Sequence, residues 1–157
     1  MSDEVKEYLT FIIDDEEYGV NILDVKEVRE WSNVRKLPNN GNYLIGLLEL
    51  RSEYVPIVDL RQRFNIAPAL LSATTVVVIV SNNLGQSLGI IVDAVAEVYQ
   101  LSTVQIKSTP DYVKINDRFI EGIASIKNRH VVLIQLETLF DFDRLHEVAQ
   151  PELVGEG

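Results

Sequence analysis

The stretch GLLELRSEYVPIVDL, from Gly46 to Leu60, decides the fold because a weaker version of it returns later in the chain. Shifting residues 43–64 by 76 positions lays them on residues 119–140, with glycine, valine, leucine and phenylalanine positions coinciding. A second segment, 18–28, lies on 88–98 at a shift of 70. Two segments repeated in the same order at nearly the same shift predict one β unit that is used twice.

Short aliphatic runs separated by turn residues favour strands in both copies. Ser52-Glu53 and Asn128-Arg129 are the predicted turns of two equivalent hairpins, and the β-branched run Thr74–Val80 is typical of a strand buried on both faces. Apolar spacing over 137–148 fits a short C-terminal helix. The sequence therefore predicts an all-β fold of two small barrels that share a core, since neither half buries much apolar area alone.

The chain is expected to form a single domain over residues 1–157. The predicted first barrel spans 15–80, and the second spans 81–140 together with an N-terminal strand at 8–13. A mobile tail is expected at 149–157.

Composition and charge exclude several classes of function. The 157 residues carry a formal net charge of −10, which disfavours binding to nucleic acid and to anionic membrane surfaces. Without any cysteine, the chain has neither disulfides nor thiolate chemistry. The acidic N-terminus is no signal peptide, and no apolar stretch is long enough to span a bilayer, so we expect a cytoplasmic protein without membrane insertion.

Signals of catalysis are poor. The histidines His130 and His146 have no second ligand at metal-binding spacing, and nucleophile elbows and phosphate-binding loops are missing from the sequence. Asp59 and Asp93 follow apolar strands, where a carboxylate commonly accepts a hydrogen bond from a nearby amide. We therefore predict no catalytic residue, no metal and no cofactor. Two other readings stay open: a small-ligand-binding double barrel, and a hydrolase that pairs these two carboxylates.

Arg51 stands out because it interrupts an apolar run beside a turn. A planar guanidinium pairs with carboxylates and stacks on apolar neighbours, which suits an interface. Glu27, at the bend of the first copy, is the predicted partner. The single tryptophan, Trp31, is expected to pack in a core.

The quoted residues carry a resemblance that covers nearly the whole chain. EYGVNILDVKEV (17–28), VPIVDLR (55–61) and LGIIVDAVAEV (88–98) resemble the CheW family, the adaptors of bacterial chemosensory arrays. The resemblance implies two five-stranded Src-homology-3-like barrels packed side by side, without catalysis. It also implies two partners: the cytoplasmic tip of methyl-accepting chemoreceptors and the regulatory domain of a CheA-type histidine kinase. The protein would then lie in the cytoplasm, at membrane-associated receptor arrays.

Two binding surfaces follow from the same resemblance. A receptor-facing groove between the barrels would combine apolar positions with a charged pair, a combination that suits a helix-in-groove contact. Its residues would be Ile22, Val25, Glu27, Arg51, Val76 and Gly89. A kinase-facing surface would include Lys107 and Tyr112.

The chain departs from the family pattern at one turn. Where the family has asparagine, leucine, arginine and glycine, this chain has Glu49-Leu50-Arg51-Ser52. A serine forced to positive φ would cost about 1–2 kcal/mol relative to glycine, so we expect a turn of another shape. The departure leaves open a paralogue that serves pilus motility or another non-flagellar array.

Overall fold

The computed structural model describes residues 4–31, 35–36, 43–64, 72, 74–107 and 119–149. The chain divides into two compact units. Unit 1 comprises Met1–Val25 with Asp93–Phe140, and unit 2 comprises Lys26–Val92 with Asp141–Gly157. Residues 150–157 of the predicted tail lie outside the described residues, whereas Ala149 is the last residue of a helix.

In the part of the chain that the structure describes, each unit contains one six-stranded sheet. The strands are, in chain order, Val5–Ile13 (β1), Glu16–Asn21 (β2), Val25–Glu30 (β3), Arg35–Lys36 (β4), Leu44–Leu50 (β5), Glu53–Asp59 (β6), Val76–Ser81 (β7), Ser87–Val92 (β8), Ala94–Ser102 (β9), Ile106–Lys107 (β10), Ile120–Ile126 (β11) and Arg129–Ile134 (β12). The sheet orders are β10-β11-β12-β2-β1-β9 and β3-β7-β8-β6-β5-β4. Each sheet therefore has five strands of six or more residues and one two-residue strand.

The register confirms the internal repeat. In unit 1, β2 lies parallel to β12 with Gly19 opposite Leu133. In unit 2, β8 lies parallel to β6 with Gly89 opposite Ile57. The shifts found in the sequence convert one pair into the other, because 19 + 70 = 89 and 57 + 76 = 133. Each hairpin also has a register irregularity at the same place, before Gly46 and before Gly122.

The repeated segments exchange places between the units. β2, from the first copy, pairs with β1 and β12 in the sheet of unit 1. β8, from the second copy, pairs with β6 and β7 in the sheet of unit 2. The sequence division into 15–80 and 81–140 assigned both strands the other way round, because it followed chain order rather than pairing.

Among the described residues, three two-residue turns have positive φ at both central residues. They are Asp14–Asp15, Arg51–Ser52 and Lys127–Asn128, with φ between 51° and 69°. This is the type I′ geometry, whose twist matches the twist of the flanking strands. The turns at Arg51–Ser52 and Lys127–Asn128 thus begin one residue earlier than predicted, and the expectation of another turn shape at Ser52 was wrong.

The two units have cores of different character. One buried cluster of unit 1 places two tyrosines among aliphatic side chains: Tyr8, Tyr99, Leu101, Ala124, Ile126, Val131 and Leu133. Unit 2 buries an aliphatic cluster of Leu48, Val55, Ile57, Val77, Ile79 and Ile91, against which Trp31 packs as predicted. Four residues of β7, from Val77 to Val80, are buried, which confirms a strand covered on both faces.

Short helices follow the last strands of the two hairpins. Asp59 caps α1 (Leu60–Arg63) by accepting a hydrogen bond from the Arg61 amide at 3.0 Å. The predicted C-terminal helix is split into α2 (Leu136–Leu139) and α3 (Phe142–Ala149), because Phe140 has extended backbone angles. Phe142 and Leu145 of α3 are buried, so this helix contributes to the core of unit 2.

Candidate functional site

An exposed ion pair in unit 2 joins the two charged residues predicted to form the site. Arg51 Nη1 lies 3.2 Å from Glu27 Oε2, which confirms the predicted pairing. Arg29 Nη1 lies 3.5 Å from Glu27 Oε1, so one carboxylate lies between two guanidinium groups. The Arg51 side chain is 75% exposed and that of Glu27 is 27% exposed, which leaves most of the Arg51 guanidinium available to a partner.

Backbone geometry explains why Arg51 points outward. It is the first central residue of a type I′ turn, with φ of 52°, and therefore projects from the end of the hairpin. Glu27 lies in the middle of β3, an end strand of the sheet, where exposed and half-buried residues alternate. Glu49 is also exposed, and its register partner is Tyr54. The departure at position 49 therefore leaves the Glu27–Arg51 pair intact.

Three predicted receptor-facing residues occupy consecutive strands of unit 2. Glu27, Val76 and Gly89 belong to β3, β7 and β8, which are neighbours in the sheet. Val76 is half-buried, whereas Gly89 is buried. A Cβ atom on Gly89 would lie 2.6 Å from Ile57 Cδ1 and 2.8 Å from Val77 Cγ1. Position 89 therefore requires a glycine, because the side chains of Ile57 and Val77 approach its backbone closely.

Ile22 and Val25 lie within the bounds of unit 1 and are both half-buried. Ile22 begins a 3-10 helix, Ile22–Asp24, whose first turn is capped by Asn21 Oδ1 accepting from the Leu23 amide at 2.9 Å. Between them, Leu23 is 87% exposed. Leu23 and Arg29 were not predicted from the sequence, although their places near Ile22 and Glu27 were a usable signal.

The predicted kinase-facing residues are only partly described. Lys107 is exposed on β10, an end strand of the sheet in unit 1, opposite Ile123 of β11. Tyr112 lies outside the described residues, and its role stays a prediction.

A second ion pair, in unit 1, joins a buried carboxylate to an arginine that is 46% exposed, and it was not predicted. Arg129 Nη1 lies 3.1 Å from Glu17 Oε1, and the Glu17 side chain is only 6% exposed. The Arg129 guanidinium also donates to the Tyr99 hydroxyl and lies over its ring, 6.0 Å from the centroid. That hydroxyl in turn donates to Glu97 Oε2 at 3.2 Å. Glu17 Oε2 is buried without a hydrogen-bond partner among the described residues.

Burial and nearby carboxylates also shift ionisation equilibria in unit 1. Burial, followed by the Glu17 carboxylate, raises the pKa of Tyr99. Burial raises the pKa of Tyr8, as does its 2.9 Å hydrogen bond to Glu121. The pKa of Asp24 is raised first by burial and then by Glu137 and Glu121.

The two aspartates considered for hydrolysis each serve local structure. Asp59 caps α1 in unit 2, and Asp93 accepts from the Asp14 amide at 2.9 Å in unit 1. Among the residues that the structure describes, no three histidine, aspartate or glutamate side chains form a group able to hold a metal ion. None of the described helices is long and apolar enough to cross a bilayer.

Comparison with known proteins agrees with this architecture. The family model of the CheW-like domain matches residues 7–144. A probable chemotaxis protein CheW of Rhizobium etli is 35% identical over 136 residues, covering 86% of this chain and 87% of the relative. Chemotaxis protein CheW of Klebsiella aerogenes is 32% identical over 142 residues, covering 89% and 84%.

A solved structure has the same fold. The scaffolding protein TtCheW of Thermoanaerobacter tengcongensis superposes with a TM-score of 0.78 at 34% identity, over 89% of this chain and 90% of that one. The match confirms the predicted class of two Src-homology-3-like β-barrels. The chain therefore belongs to the CheW-like domain family, and its role is that of a chemotaxis adaptor.

Proposed function

We propose that this protein is a non-catalytic adaptor that joins the cytoplasmic tips of chemoreceptors to a CheA-type histidine kinase, in the cytoplasm at receptor arrays. The observation that carries the proposal is the Glu27–Arg51 pair, in a chain that belongs to the CheW-like family. An adaptor acts by holding two partners together, so that a conformational change in one biases the activity of the other.

The receptor surface is assigned to the region around Arg51. Glu27 holds the guanidinium in place from one side, and most of the arginine stays exposed for a partner. Arginine provides several donors in a fixed plane and is enriched among residues that dominate interface energies. Ile22, Val25 and Val76 are half-buried apolar positions that could bury further area on binding. Gly89 supports this surface from within the core.

The kinase surface is assigned to Lys107 and Tyr112 in unit 1. Lys107 is exposed at the end of a sheet, where a side chain can be reached by a partner. Arg51 belongs to unit 2 and Lys107 to unit 1, so different residues would contact the two partners.

The experiment measures binding of two variants to a receptor cytoplasmic fragment and to a kinase regulatory domain. Arg51→Glu should weaken receptor binding by about tenfold or more and leave kinase binding unchanged. Lys107→Glu should show the opposite pattern. Each variant is thus the control for the other, and Arg144→Glu on the exposed face of α3 is the matched control for charge reversal.

Two outcomes would contradict the proposal. Undetectable binding of the wild-type chain to both partners at tens of micromolar would exclude the adaptor role for these partners. Equal weakening of receptor binding by Arg51→Glu and Arg144→Glu would show that receptor binding depends on the net charge of the chain and not on Arg51 in particular.

A further inference from the structure

The C-terminal helix follows unit 1 in the chain but docks on unit 2. Phe140 is the last residue of unit 1, and α3 (Phe142–Ala149) belongs to unit 2. The chain leaves unit 1 in extended form, since Phe140 has φ of −130° and ψ of 144°. In unit 2, α3 lies against β6 and β8. The helix is thus joined by the chain to unit 1 and by packing to unit 2.

A preformed latch holds the first turn of α3. Gln86 Nε2 donates a hydrogen bond to Asp143 Oδ1 at 2.7 Å. The other end of the same side-chain amide is fixed, because Asn82 Nδ2 donates to Gln86 Oε1 at 2.7 Å. Asn82 is fixed in turn, because its Oδ1 accepts from the backbone amide of Gln86 at 2.9 Å. Contacts within the loop therefore orient Gln86 toward Asp143 without help from α3.

This latch is particular to unit 2. The loop Asn82–Gln86 is the counterpart of the turn Asp14–Asp15 in unit 1, because each precedes one of the repeated strands β8 and β2. The connection in unit 1 is a tight turn of two residues, whereas the loop in unit 2 is longer and places Gly85 at φ of 79°. The longer loop supplies the amide that holds α3, so the latch does not follow from the repeated fold.

Few contacts hold α3 on unit 2. Within residues 142–145, the part of α3 whose side chains the structure describes, only Phe142 and Leu145 are buried. The helix is not part of the sheet order of unit 2, so the sheet keeps its ladder of hydrogen bonds when α3 leaves. An isolated helix of eight residues is marginal in water, so α3 loses its helical structure once it is undocked.

We propose that α3 is a clasp, a helix that undocks from unit 2 while both sheets stay folded and thereby loosens the tie between the units. When docked, α3 restrains unit 1 through Phe140, in addition to the chain connections at Val25–Lys26 and Val92–Asp93. An open clasp would weaken the coupling between a receptor bound at Arg51 in unit 2 and a kinase bound at Lys107 in unit 1. This consequence rests on the proposed function, whereas the tests of the clasp need neither partner.

Hydrogen exchange of the full chain, followed by NMR, tests whether α3 undocks independently. The backbone amides of Arg144 and Leu145 should exchange faster than those of β6 and β8, and with less dependence on urea. Gln86→Ala should speed exchange at these two amides by about fivefold and leave β6 and β8 unchanged, because it removes the latch and no core contact. Asn83→Ala, at an exposed position of the same loop, is the matched control. Equal urea dependence of α3 and the strands, or equal effects of the two variants, would overturn the proposal.

Double electron–electron resonance tests the tie between the units, because the natural chain has no cysteine that would take up a spin label. The labels are placed at Glu49→Cys in unit 2 and Ser125→Cys in unit 1, both exposed positions. Leu145→Asp, which removes an apolar anchor of α3, should broaden the distribution of distances between the labels. Arg144→Asp, at an exposed position of the same helix, should leave it unchanged.

Exchange protection of β6 and β8 establishes that the sheet persists in the Leu145→Asp variant. Gln86→Ala, which leaves the core intact, should broaden the distance distribution to a smaller extent, and it decides the outcome if Leu145→Asp unfolds unit 2. An unchanged distribution in a variant whose α3 amides exchange faster would overturn the proposal.

Discussion

The hairpin of unit 2 (β5–β6) and the hairpin of unit 1 (β11–β12) share their register, their irregularity and their positive-φ turn, but they place their arginines differently. Arg51 is the first turn residue and projects away from the sheet. Arg129 is the first residue after the turn and lies on the same strand face as Val131 and Leu133, which are fully buried. A difference of two positions in an equivalent hairpin thus separates an arginine that pairs with the half-buried Glu27 from one, still 46% exposed itself, that pairs with the buried Glu17.

The two ion pairs should differ accordingly in energy. Glu17 is 6% exposed and Glu27 is 27% exposed. Removing one member of a buried pair leaves an uncompensated charge, whereas exposed pairs contribute little because water screens them. The comparison teaches that equivalent hairpins of the same fold can hold one arginine against a buried carboxylate and leave the other mostly exposed.

The largest expected effect compares Arg129→Met with Arg51→Met. Arg129→Met should lower the free energy of unfolding by about 1–3 kcal/mol, because the buried Glu17 carboxylate then loses its partner. Arg51→Met should change it by about 0–1 kcal/mol. Urea denaturation measures both. Glu17→Leu combined with Arg129→Met should recover much of the loss, and equal effects of the two single variants would contradict the comparison.

Equivalent glycines provide the next test. Gly89→Ala would bring a methyl group to 2.6 Å from Ile57 Cδ1 and 2.8 Å from Val77 Cγ1, and the β-branched valine can adjust little. Gly19→Ala meets its nearest atom, Leu133 Cδ2, at 3.0 Å. We expect Gly89→Ala to cost about 2 kcal/mol in stability, and Gly19→Ala clearly less. The reverse order in urea midpoints would show that unit 1 is the more tightly packed barrel here.

Alkaline pH should reveal the buried phenol of unit 1. The pKa of Tyr8 is raised by burial and by Glu121, so above about pH 10 the phenol ionises in the unfolded chain while it stays protonated in the folded one. The unfolded state then binds fewer protons, and the free energy of unfolding falls as the pH rises. Ionisation of this one tyrosine lowers the free energy of unfolding by at most about 1.4 kcal/mol per pH unit. In thermal melts, Tyr8→Phe should reduce the loss of stability between pH 10 and 11. An unchanged dependence of stability on pH would show that groups other than Tyr8 cause this loss.

The smallest expected effect concerns the turns themselves. Ser52 has φ of 69° and its counterpart Asn128 has φ of 66°. Asparagine tolerates the left-handed region better than serine does. Ser52→Gly should therefore stabilise the protein by about 0.5 kcal/mol, and Asn128→Gly should have almost no effect. An equal gain in stability from Asn128→Gly and Ser52→Gly would show that asparagine and serine tolerate positive φ equally well in these turns.

Much of the fold could be predicted from the sequence, because the repeat of Gly46–Leu60 and the hydrophobic patterns depend on local residues. The pairing of strands that are far apart in the sequence could not be predicted. The exchange of β2 and β8 between units depends on parallel contacts with β12 and β6, which leave no trace in chain order. The turn at Ser52 was mistaken because a serine gives no local sign that its hairpin imposes positive φ.

The candidate site was likewise predictable only in part. The pair Glu27–Arg51 followed from an arginine within an apolar run and a carboxylate at a bend. Glu17 and Arg129 were missed because each looks like an ordinary residue of a charged turn until the register brings them together. Burial of a carboxylate depends on long-range packing, which a single sequence does not reveal.

The charge-swapped variant Glu27→Arg with Arg51→Glu tests most directly whether the exposed pair serves recognition. The swap preserves an ion pair at the same place, so the urea midpoint should match that of wild type within the small contribution of an exposed pair. We predict that its affinity for the receptor cytoplasmic fragment is nevertheless about tenfold or more below wild type, because the proposed function requires a partner contact with the guanidinium at position 51. Wild-type affinity in the swapped variant would contradict this account.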